Sequence, residues 1–395
     1  MNTIKQIIAV TLLNLRNLPK RLGSSVVAVV GVGAVVLVFA AVLSMAAGLE
    51  KTMMATGSDD TAVIMRSGST SELNSGLSNE QTLIVANAPG VLKDGDSPII
   101  SAELYVITDV KKRSSGTDAN VPFRGVQQGA FAVRDNVKIS EGRMFEPGKN
   151  EIVVGRAAQS EFVGLNVGET IRFGQTEWAI VGSFDAGGSV SESELWTDIR
   201  VLQSAYRRGN SFQSIRVKLE SPESIETLRE TLDADPRIDP DVMSERDYYS
   251  SQSQGLVQFI KLIGYPLTIL MAVGAIFGAL NSMYSSVSVR GKEIATLRAL
   301  GFGPTAVLFS TVIESVLLAL TGGVLGGLIA FAVFNGFQVS TLNGASFSQV
   351  VFNFAVTPEL LIQGLKAALI IGVVGGLFPA VRAARLPVAQ ALREL

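Results

Sequence analysis

The sequence predicts a membrane protein of four transmembrane α-helices, with a large mixed α/β (α+β) domain inserted between the first and second. Three observations carry this prediction. Residues 24–49 and 262–289 hold no charged side chain over 26 and 28 positions, and roughly 20 helical residues cross a hydrocarbon core. Two more apolar runs, 305–334 and 361–381, are broken only by Glu314 and Lys366. The 212 residues from 50 to 261 differ in kind, being charged and divided into short apolar runs by Gly, Pro, Asn and Asp.

Residues 1–23 read as an amphipathic helix. Ile4, Ile7, Ile8, Leu12 and Leu15 recur at helical spacing, with Lys5 and Arg16 on other faces. The apolar face predicts contact with membrane lipid, and Pro19 ends the pattern. The first span, 24–49, contains Ser44, Met45 and Ala46, small enough to resemble a signal cleavage site. Signal h-regions are only about 7–15 residues long, so the span is expected to stay as an anchor.

In the inserted domain, 50–261, strands are predicted at 61–65, 99–110, 151–154, 169–173, 177–184 and 214–219. Helices are predicted at 79–87, 156–163, 198–207 and 222–234. The last should be capped by Ser221, with Pro222 at the first helical position and Glu223 at the positive helix end. Residues 113–120 and 187–189 read as surface loops.

The remaining spans, 262–289, 305–334 and 361–381, carry glycines four apart: Gly274/Gly278, Gly322/Gly326, Gly323/Gly327 and Gly372/Gly376. That spacing puts small residues on one helix face and lets backbones approach, which predicts a compact bundle or dimer. Glu314 is placed roughly 15 Å into its span, and Lys366 roughly 8 Å from the opposite boundary, by helical rise. A direct or water-bridged pair between them fits those depths. A proton relay needs more than one such group, so Glu314 is read as a structural polar residue. Residues 335–360 are expected to form a short loop between the third and fourth spans.

Charge sets the orientation. Lys5, Arg16, Lys20 and Arg21 precede the first span; Arg290, Lys292 and Arg298 follow the second, in 290–304; Arg382, Arg385 and Arg393 lie in the tail, 382–395. Residues 335–360 have no basic residue. Basic segments stay cytoplasmic, so both termini and the 290–304 turn face the cytoplasm and the inserted domain is exported to the other side of the membrane. With 22 Lys/Arg against 31 Asp/Glu, that domain carries a net charge of −9. Long domains translocate regardless of charge, and the acidity argues against nucleic acid as a partner.

The composition narrows the chemistry further. There is no cysteine and no histidine, which removes disulfides, thiolate ligands, imidazole acid–base chemistry and any Ser-His or Cys-His pair. No Gly-x-x-x-x-Gly-Lys-Ser/Thr loop is present to cradle phosphates. Ser-Lys chemistry and carboxylate pairs remain open, but no signature for either stands out, and the expectation is a non-catalytic chain with no metal and no cofactor.

The turn itself carries a pattern. As a helix, 290–301 would show Ile294, Leu297 and Gly301 on one side, with Lys292 and Thr296 elsewhere. Arg290 and Glu293 are spaced to pair. An apolar patch edged by charge suits docking to a soluble partner.

Residues 281–302 resemble the cytoplasmic loop of MacB/FtsX-type ABC permeases, an R-x-x-E-I-x-x-L-R-x-L-G pattern met here by Arg290, Glu293, Ile294, Leu297, Arg298, Leu300 and Gly301. Residues 379–393 resemble the same family's tail, and 141–145, 150–155 and 167–171 resemble phrases of the MacB periplasmic core. A Glu in the third span ahead of a Gly-rich half is also similar to the family. MacB carries an ATPase domain ahead of its first span, whereas here 23 residues precede it. The resemblance therefore implies an inner-membrane permease subunit working with a separate ABC ATPase, two copies of each. The permease pair would be a homodimer or a heterodimer with a related permease. The implied partners extend to a periplasmic adaptor and an outer-membrane channel. The implied mechanism is mechanical, with ATP-driven motion passing through the turn and second span to the periplasmic domain. Two related readings are a LolC/E-like lipoprotein releaser and an FtsX-like regulator, whose periplasmic domain is usually smaller. A membrane receptor would not require four spans and this turn.

Overall fold

The structure, a computed structural model, describes residues 3–17, 22–344 and 346–388. Pro19, Lys20, Arg21, Arg393 and the tail beyond residue 388 lie outside the described residues.

The chain opens with helices α1 (Thr3–Asn17) and α2 (Leu22–Thr56), then strand β1 (Thr61–Arg66) and helix α3 (Asn79–Ala86). Short strands β2 (Lys93–Asp94) and β3 (Ser97–Pro98) precede the long β4 (Ile100–Lys111) and β5 (Asp118–Val126). Helix α4 (Ala130–Val133), β6 (Lys138–Gly142), β7 (Glu151–Gly155) and α5 (Arg156–Glu161) follow. Next come β8 (Thr170–Phe173), β9 (Thr176–Asp185), β10 (Leu195–Asp198), α6 (Ile199–Ala205), β11 (Ser214–Lys218), α7 (Ser224–Asp233) and β12 (Pro240–Ser244). The chain then forms α8 (Glu245–Val289), α9 (Gly291–Ala299) and α10 (Pro304–Phe334). Strands β13 (Gln338–Asn343) and β14 (Ser348–Asn353) lead into α11 (Pro358–Ala384).

Two compact units result. The helical unit takes residues up to Ala47, Phe259–Phe337 and those from Phe354 onward. Four helices, Ser25–Thr56, Glu245–Val289, Pro304–Phe334 and Pro358–Ala384, are long and apolar enough to cross a membrane. Val32, Val35 and Val36 of α2 pack there with Ala319 of α10 and with Ala368 and Ile371 of α11. The backbones meet closely because glycines line the seam. A Cβ on Gly322 would stand 2.4 Å from the Val29 carbonyl, and one on Gly326 2.2 Å from the Gly33 carbonyl. A Cβ on Gly372 would come within 2.8 Å of Ala319, and one on Gly376 within 2.5 Å of Ser315. Gly274 and Gly278 differ: a Cβ there meets nothing within 4 Å. Four-residue spacing places two glycines on one face but does not say which way the face turns.

The second unit, Gly48–Gln258 with Gln338–Asn353, is built on a ten-stranded sheet ordered β12-β1-β11-β4-β5-β10-β7-β9-β6, with β8 paired to β9. Pairing is antiparallel except for β5 with β10 and β7 with β9. The long β4 joins the two halves: Ile100–Glu103 pair with β11, and Leu104–Lys111 with β5. Phe123, Phe162, Trp178, Leu195 and Leu202 anchor the larger core, with Phe123 edge-on to Trp178 at 5.0 Å. Phe184 and Trp196 anchor a smaller one.

The six predicted strands and four predicted helices of this domain are present, with shifted ends. Strand β5 was not anticipated, because all but two of its residues are buried and the pattern does not alternate. Its first residues also shorten the expected loop 113–120 to a turn closed by Gly116 at φ +70°. Helix α7 starts at Ser224, since residues 221–224 form a turn in which the Ser224 amide donates to the Ser221 carbonyl at 3.0 Å.

The expected loop 335–360 is a correction. Its residues 338–353 form the β13–β14 hairpin, which belongs to the sheet-bearing unit. Val350, Val351 and Phe352 are buried. The Val351 amide donates to Ser193 Oγ at 2.9 Å, and the Tyr105 hydroxyl lies 2.9 Å from Ser348 Oγ. Alternating Val, Ser, Thr and Phe residues around an Asn-Gly turn were the available signal.

Candidate functional site

Helix α8 ends at Val289 because Arg290 leaves the helical conformation (φ −95°, ψ 8°) and caps α9. At the far end the Gly301 amide donates to the Arg298 carbonyl and the Phe302 amide to the Leu297 carbonyl, both at 3.1 Å. That double closure needs a left-handed residue, and Gly301 supplies it at φ +92°. Gly303 then donates to Gln6 Oε1 of α1 at 3.1 Å, and Pro304 starts α10.

The inner side of α9 is bound from four directions. Arg290, 4% exposed, donates from Nη1 to Glu314 Oε2 of α10 at 2.8 Å and from Nη2 to Asn14 Oδ1 of α1. Its Nε lies 3.5 Å from Glu293 Oε2, one turn along. Ile294 packs with Val287 of α8, Val307 of α10 and Ala383 of α11. Arg298 donates to the carbonyls of Ala384 and Leu386 at 2.7 and 3.2 Å, capping the end of α11.

Two expectations change. Glu314 is bonded to Arg290, while Lys366 is exposed on its own helix. Depth along a span left Glu314's rotation open, and α9 brings the guanidinium to it. The apolar side of α9 is also not the free side: Ile294 is buried and Leu297 half-buried. The exposed side carries Lys292, Glu293, Thr296, Ala299 and Leu300, the last 72% exposed.

A second polar centre lies within the sheet-bearing unit. Arg124 of β5 forks onto Glu194 at 2.7 and 2.8 Å and onto Glu72 at 2.7 and 2.9 Å. Arg134 forks onto Glu103 of β4 at 2.7 and 2.8 Å. Arg216 of β11 reaches Glu72, Glu103 and Glu245, the first residue of α8. All seven side chains are at most 5% exposed. Burial pushes the Glu103 carboxyl up, but Arg134, Arg216 and Arg124 outweigh it and hold it down to about 2. Glu72 is likewise well below the usual carboxylate range: burial opposes, and Arg124 and Arg216 prevail. Trp196 Nε1 and the Ser214 hydroxyl fill the remaining acceptors on Glu194 and Glu72. Opposite charges scattered over residues 72–245 give no local pattern, so the sequence offered no sign of this cluster.

Residues 25–235, more than half the chain, match the MacB-like periplasmic core domain, and residues 267–388 match the FtsX-like permease C-terminal. The chain belongs to the MacB/FtsX-type ABC transporter permeases. The macrolide export ATP-binding/permease protein MacB of Neisseria gonorrhoeae is 26% identical over 328 residues, 76% of this permease and 48% of the relative. An uncharacterized ABC transporter permease of Methanocaldococcus jannaschii is 24% identical over 266 residues, 65% of each chain. The permease spans about half the length of the MacB relatives it matches. Among solved structures, the periplasmic region of MacB from Actinobacillus actinomycetemcomitans aligns at 14% identity and a TM-score of 0.37, over 52% of this chain and 98% of that one. The permease is thus a multi-pass membrane protein whose MacB-like domain sits in sequence between its first and second long helices.

Proposed function

We propose that this permease transmits the motion of a separate ABC ATPase subunit through α9 and α8 to its inserted domain, which extrudes a substrate or hands it on. The observation that carries the reading is the construction of α9. Its outer side is exposed, while its inner side is bound to α1, α8, α10 and α11 through Asn14, Val287, Glu314, Ala384 and Leu386. A push on the outer side therefore reaches the helices together, because a packed interior transmits displacement. Helix α8 starts at Glu245, within the buried charge cluster, and ends beside Arg290. It is the element suited to carry motion between the two polar centres.

The basic segments support a cytoplasmic α9 and cytoplasmic termini in the inner membrane, with the inserted domain periplasmic. Gly274 and Gly278 leave a smooth face on α8, suited to pairing with a second permease, identical or related. An adaptor and outer-membrane channel belong to the same reading as onward acceptors.

Replacing Lys292, Thr296 and Leu300 together by alanine tests it. Exposed substitutions leave stability within about 0.5 kcal/mol, so insertion and thermal midpoint should hold. Co-purification with the ATPase and ATP-driven transport should each fall roughly tenfold or more, the effect of losing about 1.4 kcal/mol of docking energy. Transport at the unsubstituted level would sink the proposal.

A further inference from the structure

The sheet-bearing unit is strongly acidic in sum, yet one of its pockets is basic. Between α6, the turn after it and the start of α3 lies an open cavity of about 670 Å³, within the usual range for a small-molecule site. Arg200 and Arg207 line it, with Gln203, Asn210, Ile199 and Phe212. Both arginines are exposed, and neither guanidinium bonds to a side chain among the described residues. No acidic side chain lines the cavity. The nearest carboxylate on the helix, Asp198, is already committed, accepting from the amides of Arg200 and Val201 at 2.9 and 3.1 Å. A second, smaller cavity near Ser189 lacks this character, because its arginine, Arg156, is engaged with Asp185 at 3.1 Å.

Backbone geometry adds an independent observation. Helix α6 ends with the Arg208 amide donating to the Gln203 carbonyl at 2.8 Å and the Arg207 amide to the Ser204 carbonyl at 3.3 Å. This closure places its central residue in the left-handed region, where glycine is the unstrained choice. Arg207 occupies it at φ +53°. Two residues later Gly209 takes a similar conformation, φ +60°, without strain. This turn carries Arg207 to the lining of the cavity, seven residues from Arg200, and strained backbone of this kind gathers at binding sites.

We infer that this pocket binds a small oxyanion-bearing molecule, a carboxylate or a phosphate. The planar donors of Arg200 and Arg207 match the paired oxygens of either group. The Asn210 amide supplies a neutral hydrogen bond, Gln203 being held by its own bond to the Ser211 carbonyl at 3.0 Å, and Ile199 with Phe212 gives the rest of the molecule an apolar floor. The site is separate from α9 and does not depend on the transport reading.

The test is calorimetric titration of the full chain in lipid nanodiscs with two probes, citrate and inorganic phosphate, at fixed ionic strength. Saturable binding of either probe is expected, and the one that binds identifies the anion class. The double variant Arg200→Gln/Arg207→Gln should weaken binding roughly tenfold or more, the loss that follows removal of charge-assisted hydrogen bonds. Its thermal midpoint should be unchanged, since both side chains are exposed. Arg207→Gly separates the side chain from the turn: the thermal midpoint should rise as strain is released, while affinity falls. Failure of both probes to saturate, or binding unaltered in the double variant and in Arg207→Gly, overturns the assignment.

Discussion

Arg124 and Arg290 are both arginines with almost no exposure, 1% and 4%, and each gathers acceptors from distant parts of the chain. A guanidinium suits this role because its fork satisfies two carboxylates without losing its charge. Removing one member of a buried ion pair leaves the rest uncompensated, at a cost of about 3–5 kcal/mol. Arg124→Met should therefore lower stability by about that amount in chemical unfolding of the full chain, because Glu72, Glu103 and Glu194 lose a shared cation. The contrasting residue is Arg156, exposed and paired with the exposed Asp185 at 3.1 Å. Arg156→Met should cost no more than about 1 kcal/mol, as solvent screens the pair. Equal losses in the two variants would show that burial is not what gives the Arg124 cluster its weight. Glu314 makes the same point in the helical unit. Its identity as a polar residue within a span was readable, but its partner, Arg290, came from a neighbouring turn rather than a facing span.

At the scale of elements, the β13–β14 hairpin shows where local reading falls short. Its segment lies between two long apolar helices, so sequence position suggested a plain connection. Its Val351 instead joins the core of a sheet formed more than a hundred residues earlier, and Val350 and Phe352 are buried beside it. Phe352→Ala should cost about 3–5 kcal/mol, as for other large core side chains. Leu342→Ala, at a position 46% exposed on the facing strand, should change stability little. Thermal unfolding of the two variants decides, and a neutral Phe352→Ala would mean that burying the hairpin does not stabilise the fold. Helix α9 was legible in a different way. Its closure by Gly301 and its Arg290–Glu293 spacing follow from local rules, whereas its orientation does not. Ile294 turns inward because Val287, Val307 and Ala383 offer it a pocket, and the polar residues are left outside.

For the whole molecule, the acid limb of stability follows from the buried carboxylates. A glutamate unfolds with a pKa of about 4.3, and Glu103 in the fold is held down to about 2. A carboxyl lowered by folding contributes fully above its unfolded value, and the contribution fades as pH falls toward the folded one. Glu72 is lowered in the same direction. Unfolding followed from neutral pH downward should thus show steady stability to about pH 5 and a progressive loss between about pH 4 and 2. A flat profile across that window would contradict the charge cluster as a source of stability. The four spans, the inserted domain, the basic edges and the turn's chemical pattern are all legible in the order of residues. Those rest on run length, transfer of apolar side chains and spacing along a helix, which neighbouring residues settle among themselves. Folding in three dimensions settled that Gly322 and Gly326 meet a neighbouring helix backbone while Gly274 and Gly278 meet nothing within 4 Å. It likewise decided that Glu314 meets Arg290, that seven charges share one interior, and that a hairpin from the chain's last third joins the sheet. Each of these depends on the rotation and register of elements far apart in the chain, and a one-dimensional pattern holds no record of either.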